Sequence, residues 1–165
     1  MAMKKLKSIN PDGISRALEK GERYRLLNEP DEAESICRDI LAVDENNQEA
    51  LVMFILALSD QFGAGVGANE AWESVNKLTD EYKKFYYSGI IKERQAKASL
   101  NRGSYGSGND AFEWIHEALA EFEKAADLRP AGNEDAILRY NACIRYIQRH
   151  KLRPPQREQR EPLLE

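Results

Sequence analysis

The sequence predicts an all-α chain of about seven helices, folded as helical hairpins stacked on one another. Three observations lead there. Apolar residues recur at helical spacing through every long segment between 12 and 150. The one apolar run that could pass for a strand, LVMFILAL at 51–58, has no second strand to pair with. Small and apolar residues also return in register, with Ala71, Val75 and Leu78 spaced as Ala33, Cys37 and Ile40 are.

Residues 1–11 read as a flexible arm that ends in the turn Asn10-Pro11-Asp12. A first helix over 12–27 carries Ile14, Ala17, Leu18, Gly21 and Tyr24 on one face. Asn28-Glu29-Pro30-Asp31 makes a turn, and Pro30 opens the second helix, where its missing N–H would have had no partner anyway. That helix runs to about Val43 and turns Ala33, Ile36, Cys37, Ile40 and Leu41 inward. Asn47-Gln48 starts a third helix lined by Leu51, Phe54, Ile55 and Leu58. A long turn over 62–68 leads to a fourth helix at 69–78. Thr79-Asp80 supplies a cap for the fifth helix, which meets no breaker until about Asn101, a length of roughly 30 Å. The loop GSYGSG at 103–108 reverses the chain into a sixth helix, 109–128, with Asn109 or Asp110 as its cap. The seventh helix, 134–149, buries Ile137, Leu138, Tyr140, Ile144 and Ile147. The tail at 151–165, rich in proline and charge, is expected to be unfolded.

Composition narrows the function classes. With 165 residues, the chain can bury a sizeable single core. No apolar run approaches the roughly 18 residues of a membrane-spanning helix, and MAMKKLKS has no apolar block behind its lysines. Cys37 and Cys143 both fall on apolar helix faces and read as buried, reduced thiols. A cytoplasmic location follows from these features. The net charge of −4 is uneven, because the chain from Arg145 onward holds six basic and three acidic residues. An acidic body and a tail without a dense basic block argue against nucleic acid as a partner.

The motifs that could carry chemistry are better explained by structure. Gly63-Ala64-Gly65-Val66-Gly67-Ala68 matches the dinucleotide pattern letter for letter, but Ser59–Phe62 separate it from the apolar run, and the fingerprint needs its first glycine at a strand end. The glycines at 103–108 precede a helix but lack the Gly-Lys-Ser/Thr of a phosphate loop. His116 and His150 have no cysteine or carboxylate cluster beside them in sequence, and no nucleophile motif occurs. The expectation is therefore a non-enzyme with no cofactor and no metal.

Residues 14–47 carry a specific likeness. They form a 34-residue helix-turn-helix unit in which Gly21, Tyr24, Ala33, Cys37 and Ile40 sit where two antiparallel helices touch. EALAEFEKAADLRP at 117–130, with Ala118, Phe122, Ala125 and Pro130, has the form of a closing helix of the same unit. The chain resembles a tetratricopeptide repeat protein of the small bacterial adaptor type. The resemblance implies a right-handed helical-hairpin superhelix with repeats at about 14–47, 48–79 and 80–131 and a capping helix at 132–150. Two features depart from the repeat pattern: Leu51 stands for the usual tryptophan, and the third hairpin is stretched by about 17 residues relative to the family's 34-residue repeat.

In that family the first helices of successive hairpins line a concave groove that holds a peptide. Carried over by position, the groove residues are Leu18, Glu22, Arg25, Val52, Leu56, Lys83, Tyr86, Ile90, Arg94, Arg145 and Tyr146. The lysine/asparagine/arginine clamp for a C-terminal carboxylate is absent, since Leu18, Val52 and Tyr86 occupy its places. Lys83, Arg94, Lys97, Arg145 and Arg149 around Tyr86 and Tyr146 suggest a protein or peptide partner with apolar anchors and acidic residues. A second reading is a structural homo-oligomer, joined through Tyr105, Phe112 and Ile115 of the long hairpin. A third reading is that the capping helix or the arm at 1–13 fills the groove.

Overall fold

The computed structural model describes residues 2–156. Its helices are α1 (Ile14–Leu26), α2 (Pro30–Val43), α3 (Gln48–Asp60), α4 (Asn69–Lys77), α5 (Glu81–Arg102), α6 (Ser107–Leu128) and α7 (Asp135–His150). Single 3-10 turns at Pro11–Gly13 and Phe62–Ala64 precede α1 and follow α3. No strand occurs among the described residues. None of the described helices is long and apolar enough to cross a membrane.

The local reasons are those of ordinary helix chemistry. The Asn47 side chain accepts the Ala50 N–H at 2.9 Å and starts α3, and Asp80 accepts the Lys83 N–H at 3.3 Å and starts α5. Pro30 occupies the first turn of α2. The start of α6 differs from expectation. It begins at Ser107 after Gly106, whose φ of 80° supplies the left-handed bend, so neither Asn109 nor Asp110 is the cap.

Successive helices pack as antiparallel pairs, and α1, α3 and α5 also touch in sequence. Side chains at the crossings are small. Ala33, Ala71, Ala118 and Ala125 are fully buried, which lets the paired axes come close. Gln48 ties the start of α3 to the end of α4, accepting the Thr79 N–H at 2.9 Å and donating to the Lys77 carbonyl at 3.3 Å. Arg38 donates to both oxygens of Glu70 at 2.8 Å, a bidentate link from α2 to α4.

The buried residues fall into two main clusters, and α5 is the wall between them. Ile91 and Ala98 join the cluster of the first two hairpins, around Leu51, Phe54, Ile55 and Leu58. Ile90 and Ala96 join the other, with Ile115, Phe122 and Cys143. The lengthened turn over 62–68 is not a free loop. Phe62 is buried in the first cluster, Val66 and Ala68 pack against it, and the 3-10 turn contacts α5. The long third hairpin is thus covered along one side by the long second turn. Ile115 is fully buried and Phe112 half-buried, so of the proposed self-association residues only Tyr105 is exposed.

Both thiols are free and buried, and burial pushes each up to about 12. Past α7, Leu152 donates its N–H to the Ile147 carbonyl at 3.0 Å and buries its side chain against the second cluster. Leu152 is thus packed on the domain, residues 152–156 have no regular secondary structure, and the expected unfolded tail from 157 onward lies outside the described residues.

Two glycines test the packing. A Cβ on Gly89 would lie 2.6 Å from the Phe122 ring, which is fully buried and has nowhere to turn. A Cβ on Gly21 would meet the Met53 sulfur at 2.5 Å, a flexible side chain able to shift. Gly89→Ala is expected to lower unfolding free energy by about 1–3 kcal/mol. In Gly21→Ala, the gain in helix propensity, up to ~1 kcal/mol, offsets the contact. Urea denaturation of the two variants checks this; equal losses would contradict it.

Candidate functional site

The candidate site is a cleft of about 400 Å3 where α1, α3 and α5 lie side by side. α1 contributes Ser15, Leu18, Glu19, Glu22 and Arg25, a single stripe at helical spacing. Glu49, Val52, Met53 and Leu56 come from α3, and Lys83 and Tyr87 from α5. The floor is apolar, made by Leu18, Val52, Met53, Leu56 and Tyr87. Burial, and then the neighbouring Tyr86 and Tyr82, push the Tyr87 phenol up to about 12, so it stays neutral at physiological pH.

One end of the cleft is closed by charge. Asp60 accepts from Arg25 Nε at 2.8 Å and from Arg94 NH1 at 2.6 Å, joining α3 to α1 and α5. Arg94 also donates to Ser59 Oγ at 2.6 Å and to the Leu56 carbonyl at 3.1 Å. Burial pulls the Arg94 pKa below its ordinary value, against the pull of Asp60, and the guanidinium stays charged. These cations are structural ties. The rim is left with Glu19, Glu22 and Glu49, none of them ion-paired among the described residues, against Lys83.

The structure brings six of the sequence-predicted groove residues together here: Leu18, Glu22, Arg25, Val52, Leu56 and Lys83. The other five are placed differently. Ile90 is 1% exposed in the second core cluster and cannot contact a ligand. Arg94 is engaged by Asp60 at the cleft's end. Tyr86 turns away from the cleft and packs on Tyr82 and Phe122, ring centroids 5.8 Å apart in both pairs. Arg145 and Tyr146 sit on α7 and do not line the cleft. Ser15, Glu19, Glu49, Met53 and Tyr87 line the cleft in addition to those six. For α5 the departure from expectation comes from rotation, since Gly89 must face Phe122 and this turns 83 and 87 toward α3. The spacing of Lys83 and Tyr87, one helical turn apart, was the signal that could have shown it.

Among the described residues none before Ser15 lines the cleft, so residues 2–14 do not fill it. α7 does not fill it either; it packs on α6.

Of the basic-aromatic set expected at the groove's far half, Lys97 and Tyr146 join an ionic cluster around one buried carboxylate, while Arg145 and Arg149 are exposed on α7. Glu93 is 1% exposed. Lys97 Nζ stands 3.1 Å from its Oε1 and Arg139 NH1 3.5 Å from its Oε2. The second contact attracts charge but is not hydrogen-bond geometry, and Oε2 has no hydrogen-bond partner among the described residues. Lys97 also lies 5.3 Å over the Tyr146 ring. Burial, and then the Glu93 charge, raises the Tyr146 pKa. The cluster pins α7 to α5.

No protein-family model, curated protein or solved structure matches this chain.

The ionic cluster makes an asymmetric prediction. Lys97 and Arg139 side chains are 39% and 38% exposed and can turn to water, whereas Glu93 cannot. Replacing both cations by methionine strands a buried carboxylate and is expected to cost about 3–5 kcal/mol. Glu93→Gln is expected to cost less than about 2 kcal/mol. Equilibrium unfolding at neutral pH measures both, and the reverse order would refute the assignment.

Proposed function

We propose that this chain is a non-catalytic protein-interaction module, an adaptor or scaffold of the cytoplasm, built as a tetratricopeptide-like superhelix. In this reading the cleft between α1, α3 and α5 holds a segment of another polypeptide. The observation that supports it most is the cleft's make-up: an apolar floor contributed by separate helices, open to solvent, under a charged rim. Such a floor takes aliphatic or aromatic anchors, and the rim sets which flanking charges are tolerated.

The rim revises the partner's chemistry. Of the cations expected to meet an acidic segment, only Lys83 lines the cleft: Asp60 holds Arg94, Glu93 holds Lys97, and Arg145 and Arg149 lie away from it on α7. Glu19, Glu22 and Glu49 favour a segment with apolar anchors and flanking lysines or arginines. Its length is set by the span of the helices that form the floor.

Fluorescence anisotropy with two peptide sets, basic-apolar and acidic-apolar, tests this. The basic set is expected to bind, and Leu56→Asp to weaken it at least about tenfold, equivalent to ~1.4 kcal/mol. Glu22→Lys with Glu49→Lys is expected to shift preference to the acidic set. Binding that ignores Leu56→Asp, or preference for acidic peptides by the unaltered chain, would overturn the reading.

A further inference from the structure

The segment before α1 has the chemistry that the cleft lacks. Residues 2–8 are exposed throughout, with Met3 at 92% and Leu6 at 96%. Both side chains are therefore available as apolar anchors. Around them stand Lys4, Lys5 and Lys7, which make no ion pair among the described residues. The turn that joins this segment to α1 is fixed by its own hydrogen bonds. The Asn10 side chain accepts the Asp12 N–H at 2.9 Å, its carbonyl accepts the Gly13 N–H at 2.9 Å, and Pro11 fixes the backbone between.

We propose that the arm of one copy docks in the cleft of a second copy, in a reciprocal exchange that closes as a two-fold dimer. Met3 and Leu6 seat on the floor made by Leu18, Val52, Met53, Leu56 and Tyr87. Lys4, Lys5 and Lys7 meet Glu19, Glu22 and Glu49. The fit is geometric as well as electrostatic. In an arm of polyproline II form, with three residues per turn, Met3 and Leu6 share one face and lie about 9 Å apart. Neighbouring packed helices lie ~8–10 Å apart, so one anchor can enter each of the two furrows between α1, α3 and α5. The inference rests on the reading of the cleft as a polypeptide groove and adds the identity of one occupant. An outside partner must then compete with the arm, which couples partner binding to dissociation of the dimer.

Sedimentation velocity on the full chain over a concentration series tests the exchange. A reversible monomer–dimer equilibrium, weakened by salt, is expected. Met3→Asp with Leu6→Asp lies in exposed coil, leaves the fold intact, and is expected to abolish the dimer. Glu19→Lys, Glu22→Lys and Glu49→Lys together are expected to do the same. Mixing that cleft variant with one carrying Lys4→Glu, Lys5→Glu and Lys7→Glu is expected to restore association, since each reversal meets the other. A chain that is monomeric throughout, or a dimer that survives Met3→Asp with Leu6→Asp, overturns the proposal. So does a monomer whose affinity for added basic-apolar peptide rises with those two substitutions, because the arm then covers its own cleft. If the chain stays monomeric yet such peptides bind and Leu56→Asp removes them, the exchange falls and the groove stands. If neither arm nor peptide binds, both fall.

Discussion

The arrangement depends on how closely the paired helices can approach. Gly89 lies against the Phe122 ring, and Ala33, Ala71, Ala118 and Ala125 are fully buried at helix contacts. A larger residue at any of these points would push two axes apart and change the angle at which the next pair stacks. Because each pair keeps its spacing, α1, α3 and α5 come to lie beside one another. The cleft is a consequence of that alignment and has no dedicated element of its own.

Charge then decides what the cleft can be used for. The chain places arginines and lysines along the inner helices, which viewed singly resemble a basic surface. Asp60 takes Arg25 and Arg94, and Glu93 takes Lys97 and Arg139. Each buried or half-buried carboxylate needs its cations, since desolvation would otherwise penalise it heavily. The result is a rim with the opposite sign from the one that counting residues suggests. The arm, with Lys4, Lys5 and Lys7, then becomes the chain's own complement to that rim.

The lengthened third hairpin has a structural explanation in the lengthened second turn. Phe62 and the residues that follow it lie along α5, and Ala98 joins the core they cover. α5 consequently has apolar neighbours on both sides, which is why the consecutive residues Ile90 and Ile91 are both buried, in different clusters. A helix with two buried faces needs little hydrophobic asymmetry, and its periodicity alone is a poor guide to which side faces a ligand.

Helix existence and most helix ends were written locally. The α2 span agrees with the expected 30–43, and the caps at Asn47 and Asp80 were legible because capping involves residues two or three apart. The clustering of Leu18, Glu22, Val52 and Leu56 was also legible from helical spacing, because α3 buries most of its surface and leaves open a narrow stripe that includes Glu49, Val52, Leu56 and Asp60. Long-range packing decided the rest: the rotation of α5, the burial of Ile90, the replacement of Tyr86 by Tyr87 in the cleft, and the pairing of Arg94 with Asp60. These turn on contacts 30 or more residues apart, such as the Arg94–Asp60 bond across 34 positions. Local sequence sets the period of a helix, but only its neighbours in space set its rotation about its own axis.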